Sequence, residues 1–401
     1  MAEKYLEFEQ DGVKYNLYDM PKGFVVKGDW DLSNEGLTEL PDLSEVIVEG
    51  SFDCSGNKLT ALEGAPQKIG KDFLCTDSKL ISLKGAPEKI DGDFDCSENE
   101  LTSLKGAPLE VGGDFGCTLN KLKTLKGAPK EVGGYFDCSE NELTTLEGAP
   151  QKIGEDFLCT DNKLISLKGA PEKINGDFDC SVNKLETLEG APKEVGGYFC
   201  CSNNNLSDLK KAPQKVGKDF QCAANSLTTL KGAPDVVGGS FYCPYNQLTT
   251  LEGAPREVGY SFLCSDNKLI SLEGAPEKIG KDFWCSNNEL KMLDFAKTEV
   301  DGDFGCYGNP LKSLLHLPEM KEENSIFCDD ETTQKYGFSD GEITVGELNA
   351  SQAYQNEAAI DKLRRQKGLE RAEREKKAVD IVREKFAAWQ ARQTQKDGPE
   401  K

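Results

Sequence analysis

From Phe52 to Pro318 the chain repeats one pattern of apolar and polar positions every 21 residues, without an insertion. Each unit begins with an alternation such as Phe52-Asp53-Cys54. An Asn follows (Asn57), then two leucines (Leu59, Leu62), a Gly-Ala-Pro triplet ending at Pro66, an aliphatic residue (Ile69), and one or two glycines. Phe94, Asn99, Leu101, Leu104, Pro108 and Val111 are a second instance. The period-2 alternation predicts a short strand with one buried face. Leu59 and Leu62 and their equivalents are expected to fill an interior. Gly-Ala-Pro sets a return bend, because Gly allows unusual dihedrals and Pro fixes its own. The glycines near the unit's end make a second corner. Stacked on one another, the Asn side chains are expected to form a ladder that satisfies buried loop amides.

Thirteen cysteines, from Cys54 to Cys306, keep the 21-residue spacing. With 401 residues the chain exceeds the roughly 250–300 that one hydrophobic core usually serves. A single turn cannot bury its apolar side alone, whereas a stack of turns can. The motif F-x-C-x-x-N-x-L resembles the leucine-rich-repeat core L-x-L-x-x-N-x-L, with Phe and Cys in the apolar slots. It is most similar to the short repeats of bacterial and bacteriophage proteins. The resemblance implies a repeat solenoid: an arc with a parallel β-sheet on its concave face. Residues 73–90 and 157–174 differ only at Ser78 and Asn162, so the array grew by block duplication.

The ends depart from the pattern. Leu6, Phe8, Asp11-Gly12, Val13, Tyr15 and Leu17 predict a β-hairpin over 1–29 that caps the first edge. The solenoid is expected over 30–328. Trp30 to Leu40 form a degenerate first turn with Leu32 in the Cys slot, and Phe327-Cys328 a last strand shifted by one. A linker at 329–349 and a charged helical tail at 350–396 follow. In that tail Val379, Val382, Phe386 and Trp389 fall on one face, able to dock on the solenoid or to hold a partner.

The net charge of −22 argues against nucleic acid as a partner. The balance is uneven: residues 358–396 hold 12 Lys and Arg against 6 Asp and Glu, so an acidic body carries a basic tail. No apolar run reaches the length of a membrane span, and the start of the chain lacks the apolar stretch of a signal peptide. The expectation is therefore cytoplasmic, in a bacterium or in a host cell during phage infection.

Candidate chemistry is sparse. The cysteine column suits buried apolar filler better than metal or disulfides, since parallel thiols do not converge and stacked Cβ atoms stand too far apart. Cys200, beside the inward Cys201, is expected to point outward as a reactive thiol. Cys328-Asp329-Asp330 matches the Cys-x-Asp motif of leucine-rich-repeat ubiquitin ligases, but only 73 residues follow it. Asp340-Gly341-Glu342 resembles part of a calcium loop whose first ligand positions would be Tyr336 and Phe338, which cannot ligate. His316 is the single histidine. No cofactor or catalytic constellation is expected.

The outward residue between Phe and Cys is more informative. It reads Asp53, Leu74, Asp95, Gly116, Asp137, Leu158, Asp179, Cys200, Gln221, Tyr242, Leu263, Trp284, Gly305. Tyr242, Leu263 and Trp284, with Tyr198, Tyr245 and Tyr307 nearby, form the expected partner-binding surface. The function expected is a non-catalytic scaffold for a protein or peptide. Two rivals are a structural, virion-associated component and an effector with transferase activity through Cys328.

Overall fold

The computed structural model describes residues 7–295, 297–367 and 369. Its spine is a sheet of sixteen strands. Fifteen of them, from Trp30–Asp31 to Ser325–Phe327, run parallel, each paired with the strand one turn away. The register is strict: Phe94 stands beside Phe73 and Phe115, and Asp95 beside Leu74 and Gly116. Phe and Cys point inward and are fully buried, as are the paired leucines. The Phe rings form a continuous column from Phe52 to Phe304, with centroids 5.1–5.8 Å apart, and Trp30 extends it by one step. This is a leucine-rich-repeat solenoid with aromatic and thiol side chains in the apolar slots.

Two polar ladders hold the turns together. Asn141 shows the first. Its Nδ2 donates to the carbonyls of Cys117, Cys138 and Ser139 at 3.0–3.2 Å, and its Oδ1 accepts from Leu122 N at 2.9 Å. The second was not foreseen. Asp93 Oδ1 accepts from Asp114 N at 2.8 Å, and Asp114 Oδ1 from Tyr135 N at 2.9 Å; Asp156, Asp177, Asp219, Asp282 and Asp303 continue the series. Wherever an Asp precedes the Phe, its carboxylate therefore caps the amide of the next turn.

The second corner also carries strands. Two-residue parallel strands such as Glu110–Val111 and Glu131–Val132 stack into sheets of three, four and seven strands. The glycine after them is sterically required: a Cβ on Gly133 would lie 1.9 Å from Gly112 O. At the Gly-Ala-Pro bend the Gly has positive φ, for example +96° at Gly148. Lys211 and His316 occupy the same slot at φ 70° and 66°.

The N-terminal hairpin pairs Glu7–Gln10 with Val13–Asn16. Phe8 packs on Trp30 and Phe24, which covers the first turn. At the far end the segment expected to be a linker is structured. It forms helix Asp330–Gln334, strand Glu342–Thr344 and helix Val345–Ala350. The strand pairs antiparallel with Ser325–Phe327, and Ile343 and Leu348 are buried. Gly341 accordingly lies in a cap, where Cys328 N donates to its carbonyl at 2.9 Å.

Residues 352–367 are helical and lie against the last turns. Tyr336 Oη accepts from Leu314 N at 2.9 Å and donates to Glu357 Oε2 at 2.8 Å, while Lys335 Nζ lies 2.6 Å from Glu357 Oε1. His316 Nε2 is 2.7 Å from Arg365 Nη2 and 3.3 Å from Asp361 Oδ2. This part of the tail is docked. Val379, Val382, Phe386 and Trp389 lie outside the described residues. No described helix is long and apolar enough to cross a membrane.

Candidate interaction surface

Strand alternation sends the residue between Phe and Cys to the outer face of the main sheet. Tyr242, Leu263 and Trp284 occupy that column on three successive turns, each partly exposed. Gly305 follows, and the Trp284 ring lies across it: a Cβ there would sit 2.0 Å from Trp284 Cε3. Because position 305 has no side chain, the indole reaches across that turn and stacks on Phe327 of the turn beyond at 5.5 Å and 29°. Tyr307 adjoins Phe327 at 6.4 Å.

Phe327 was not among the expected surface residues. Ile326, not Phe327, pairs with Phe304 and takes the inward slot, and Phe327 falls beside Gly305 on the outward column. Counting back two residues from Cys328 gives that register, whereas matching Phe to Phe inverts it.

The remaining expected residues separate. Tyr245 stands two residues past Cys243, at φ 57° in the loop beyond the strand, and is 63% exposed. Tyr198 precedes Phe199 and lies among Asp156, Asp177, Asp179 and Cys200; burial, aided by these charges, pushes its phenol up. It is not joined to the Trp284 group, because Cys200 and Gln221 intervene before Tyr242.

Cys200 corrects an expectation. It occupies the outward column, yet it is 6% exposed. The side chains of Ser181 and Ser202 face its sulfur, and burial followed by the charge of Asp179 pushes its thiol up. A covered, protonated thiol is a poor nucleophile, so neither exposure nor a thiolate supports special reactivity. Burial likewise pushes up the inward thiols, Cys96 and Cys138 among them. All fifteen cysteines are free and buried.

The other half of the column is acidic. Asp53, Asp95, Asp137 and Asp179 each accept, through Oδ1, the amide of the Ser two residues on at 2.8–2.9 Å. Burial pushes the Asp137 carboxyl up, with the charges of Asp95 and Asp179 adding, while the bonds from Ser139 oppose the shift. Among the described residues no group of three or more His, Cys, Asp or Glu side chains is placed to hold a metal ion.

No protein-family model matches the chain, and no curated protein matches it in sequence. Solved structures do resemble it. YopM from Yersinia enterocolitica WA-314 is 17% identical, with 75% of this chain and 86% of that one covered at a TM-score of 0.31. YopM from Yersinia pestis, described as a leucine-rich effector protein, is 20% identical, with 73% and 88% covered at 0.48. The functional domain of InlJ from Listeria monocytogenes, which includes a cysteine ladder, is 18% identical, with 76% and 78% covered at 0.40.

Proposed function

We propose that this protein is a non-catalytic recognition scaffold that binds a protein or peptide on the outer face of its main sheet. The observation that carries the reading is the aromatic group at the C-terminal end of that face. Trp284 lies over Gly305 onto Phe327, continuous with Leu263 and Tyr242 on a rigid stack of turns. Partly exposed aromatics fixed in place are what binding hot spots are built from. A pre-ordered surface loses little freedom on association. The hairpin and the segment after Cys328 act as end caps, and the docked part of the tail belongs to the second cap. A reducing cytoplasm is the compartment that keeps fifteen unpaired thiols reduced.

The test compares the parent with a Tyr242→Ala, Leu263→Ser, Trp284→Ala variant in partner capture from the source cell. All three side chains point away from the core, so circular dichroism should be unchanged while capture is lost. A folded variant that retains every captured partner overturns the reading.

A further inference from the structure

The outward column carries its charges in step. Asp53, Asp95, Asp137 and Asp179 stand on every second turn, with Leu74, Gly116 and Leu158 between them. Adjacent strands lie about 4.7–4.9 Å apart, so the carboxylates recur at about 9.4–9.8 Å. The Ser amide bonded to each Oδ1 fixes the carboxylate's orientation. Gly116 leaves Asp95 room to lean over it: a Cβ there would sit 2.8 Å from Asp95 Oδ1. Beyond Asp179 the same column passes through Cys200 and Gln221 to Tyr242, Leu263 and Trp284, and past Gly305 to Phe327.

We propose that the occupant of this face is a polyproline II segment with a basic residue at every third position. Its basic part lies over Asp53 to Asp179 and its prolines and apolar residues lie over Tyr242 to Phe327. The proposal rests on the sheet-face reading above and adds the conformation, charge and direction of the partner. The spacing selects the conformation. In polyproline II every third residue returns to the same side after about 9.3 Å. A helix repeats a face after seven residues, about 10.5 Å, and a strand after two, about 6.7 Å. From Asp53 to Asp179 the column runs about 28–29 Å, which nine polyproline II residues span in about 28 Å. Three helical heptads overshoot at about 31.5 Å, and a strand meets the carboxylates only about every 20 Å. Charge complementarity selects Arg or Lys at those positions. Aromatic surfaces suit proline rings, and the segment is largely ordered before it binds.

The probe is a labelled peptide of four Pro-Pro-Arg triplets followed by two Pro-Pro-Leu triplets. Its control has the same composition with the four arginines adjacent. Fluorescence anisotropy on the full chain at about 0.15 M salt, where loose charge attraction is screened beyond about 8 Å, measures both. The triplet peptide is expected to bind about tenfold or more tightly than the control. Asp95→Asn with Asp137→Asn keeps the acceptors for the Ser97 and Ser139 amides. This double variant should lose about tenfold for the triplet peptide and much less for the control. Equal binding of the two peptides, or a double variant that binds as the parent does, overturns the proposal. So does tighter binding by a synthetic peptide of residues 370–401, which would make the chain's own basic tail the occupant. If the triplet peptide fails while the Tyr242, Leu263 and Trp284 variant still loses its natural partner, only this inference falls. If that variant keeps the partner, the sheet-face reading falls as well.

Discussion

Replacing Asn141 by alanine tests the polar ladder at one rung in the middle of the stack. Leu122 N is fully buried with its residue, and Asn141 Oδ1 at 2.9 Å is its acceptor. The substitution leaves that donor unpaired, at about 1–3 kcal/mol. The three carbonyls that lose the Asn141 amide are better served. Cys117 O keeps Asn120 Nδ2, Cys138 O keeps Asn162 Nδ2, and Ser139 O keeps Leu119 N. Their loss therefore falls near the low end of the net value of about 0.5–1.5 kcal/mol per hydrogen bond. The expected total is about 2.5–4.5 kcal/mol. Denaturant unfolding followed by far-ultraviolet circular dichroism measures it. The transition should move to lower denaturant and broaden, because a weakened interface lets the two halves of a repeat array unfold separately. Asn141→Asp should be worse than alanine at pH 7. It keeps an acceptor for Leu122 N but turns an anionic oxygen toward carbonyls, a buried charge with the wrong partners. An Asn141→Ala curve superimposable on the parent's, or an Asp variant as stable as the parent at pH 7, would refute the ladder as a structural element.

Two further outcomes follow from the turns themselves. Lys211 holds a left-handed backbone, φ 70°, where Gly190 and Gly232 stand in the flanking units; Lys211→Gly should relieve the strain and raise stability by about 1 kcal/mol in the same denaturation assay, and an unchanged or lowered midpoint would contradict this. Native protein should react with a thiol reagent only through opening of the stack, so that a local opening of about 3 kcal/mol slows labelling roughly hundredfold relative to the unfolded chain. Rapid native labelling of Cys200 would show that its burial is not maintained in solution.

The inward half of the unit was legible because each residue there has one job. Phe94, Cys96, Leu101 and Leu104 are buried as the alternation requires, and Asn99 bonds the backbone as its position in the turn suggests. The features that escaped depend on neighbours rather than on period. Asp93 reads as one polar residue among many until the next turn brings the Asp114 amide to 2.8 Å. Cys200 is outward by alternation but covered by Ser181, Ser202 and Asp179, which only the stacking places around it. Phe327 shows the cost of a single inserted residue, since a slip by one exchanges the two faces of a strand. The cap after Cys328 lacks any period, and its strand Glu342–Thr344 exists because Ser325–Phe327 offers an edge to pair with.

The repeat also separates fold from function within one chain. Along the stack the inward positions hardly vary: Phe fills its slot from Phe52 to Phe304, and Cys from Cys54 to Cys306. A larger or smaller residue there would disturb two interfaces at once, since each ring packs on the rings above and below. The outward column escapes that constraint. It runs from Asp to Leu, Gly, Gln, Tyr and Trp without altering the register of a single pair. Its composition is therefore free to be set by what it touches. The change from carboxylates in the first half to aromatics in the second leaves the register of the strands unchanged. The glycine at 305 makes the same point in reverse. A side chain at 305 would collide with the Trp284 ring as it lies against Phe327, so the missing one is what that placement requires. A flat aromatic surface at one end of a charged column is thus built by residues that stacking alone would not select, which is the ground for proposing that face as the one a partner meets.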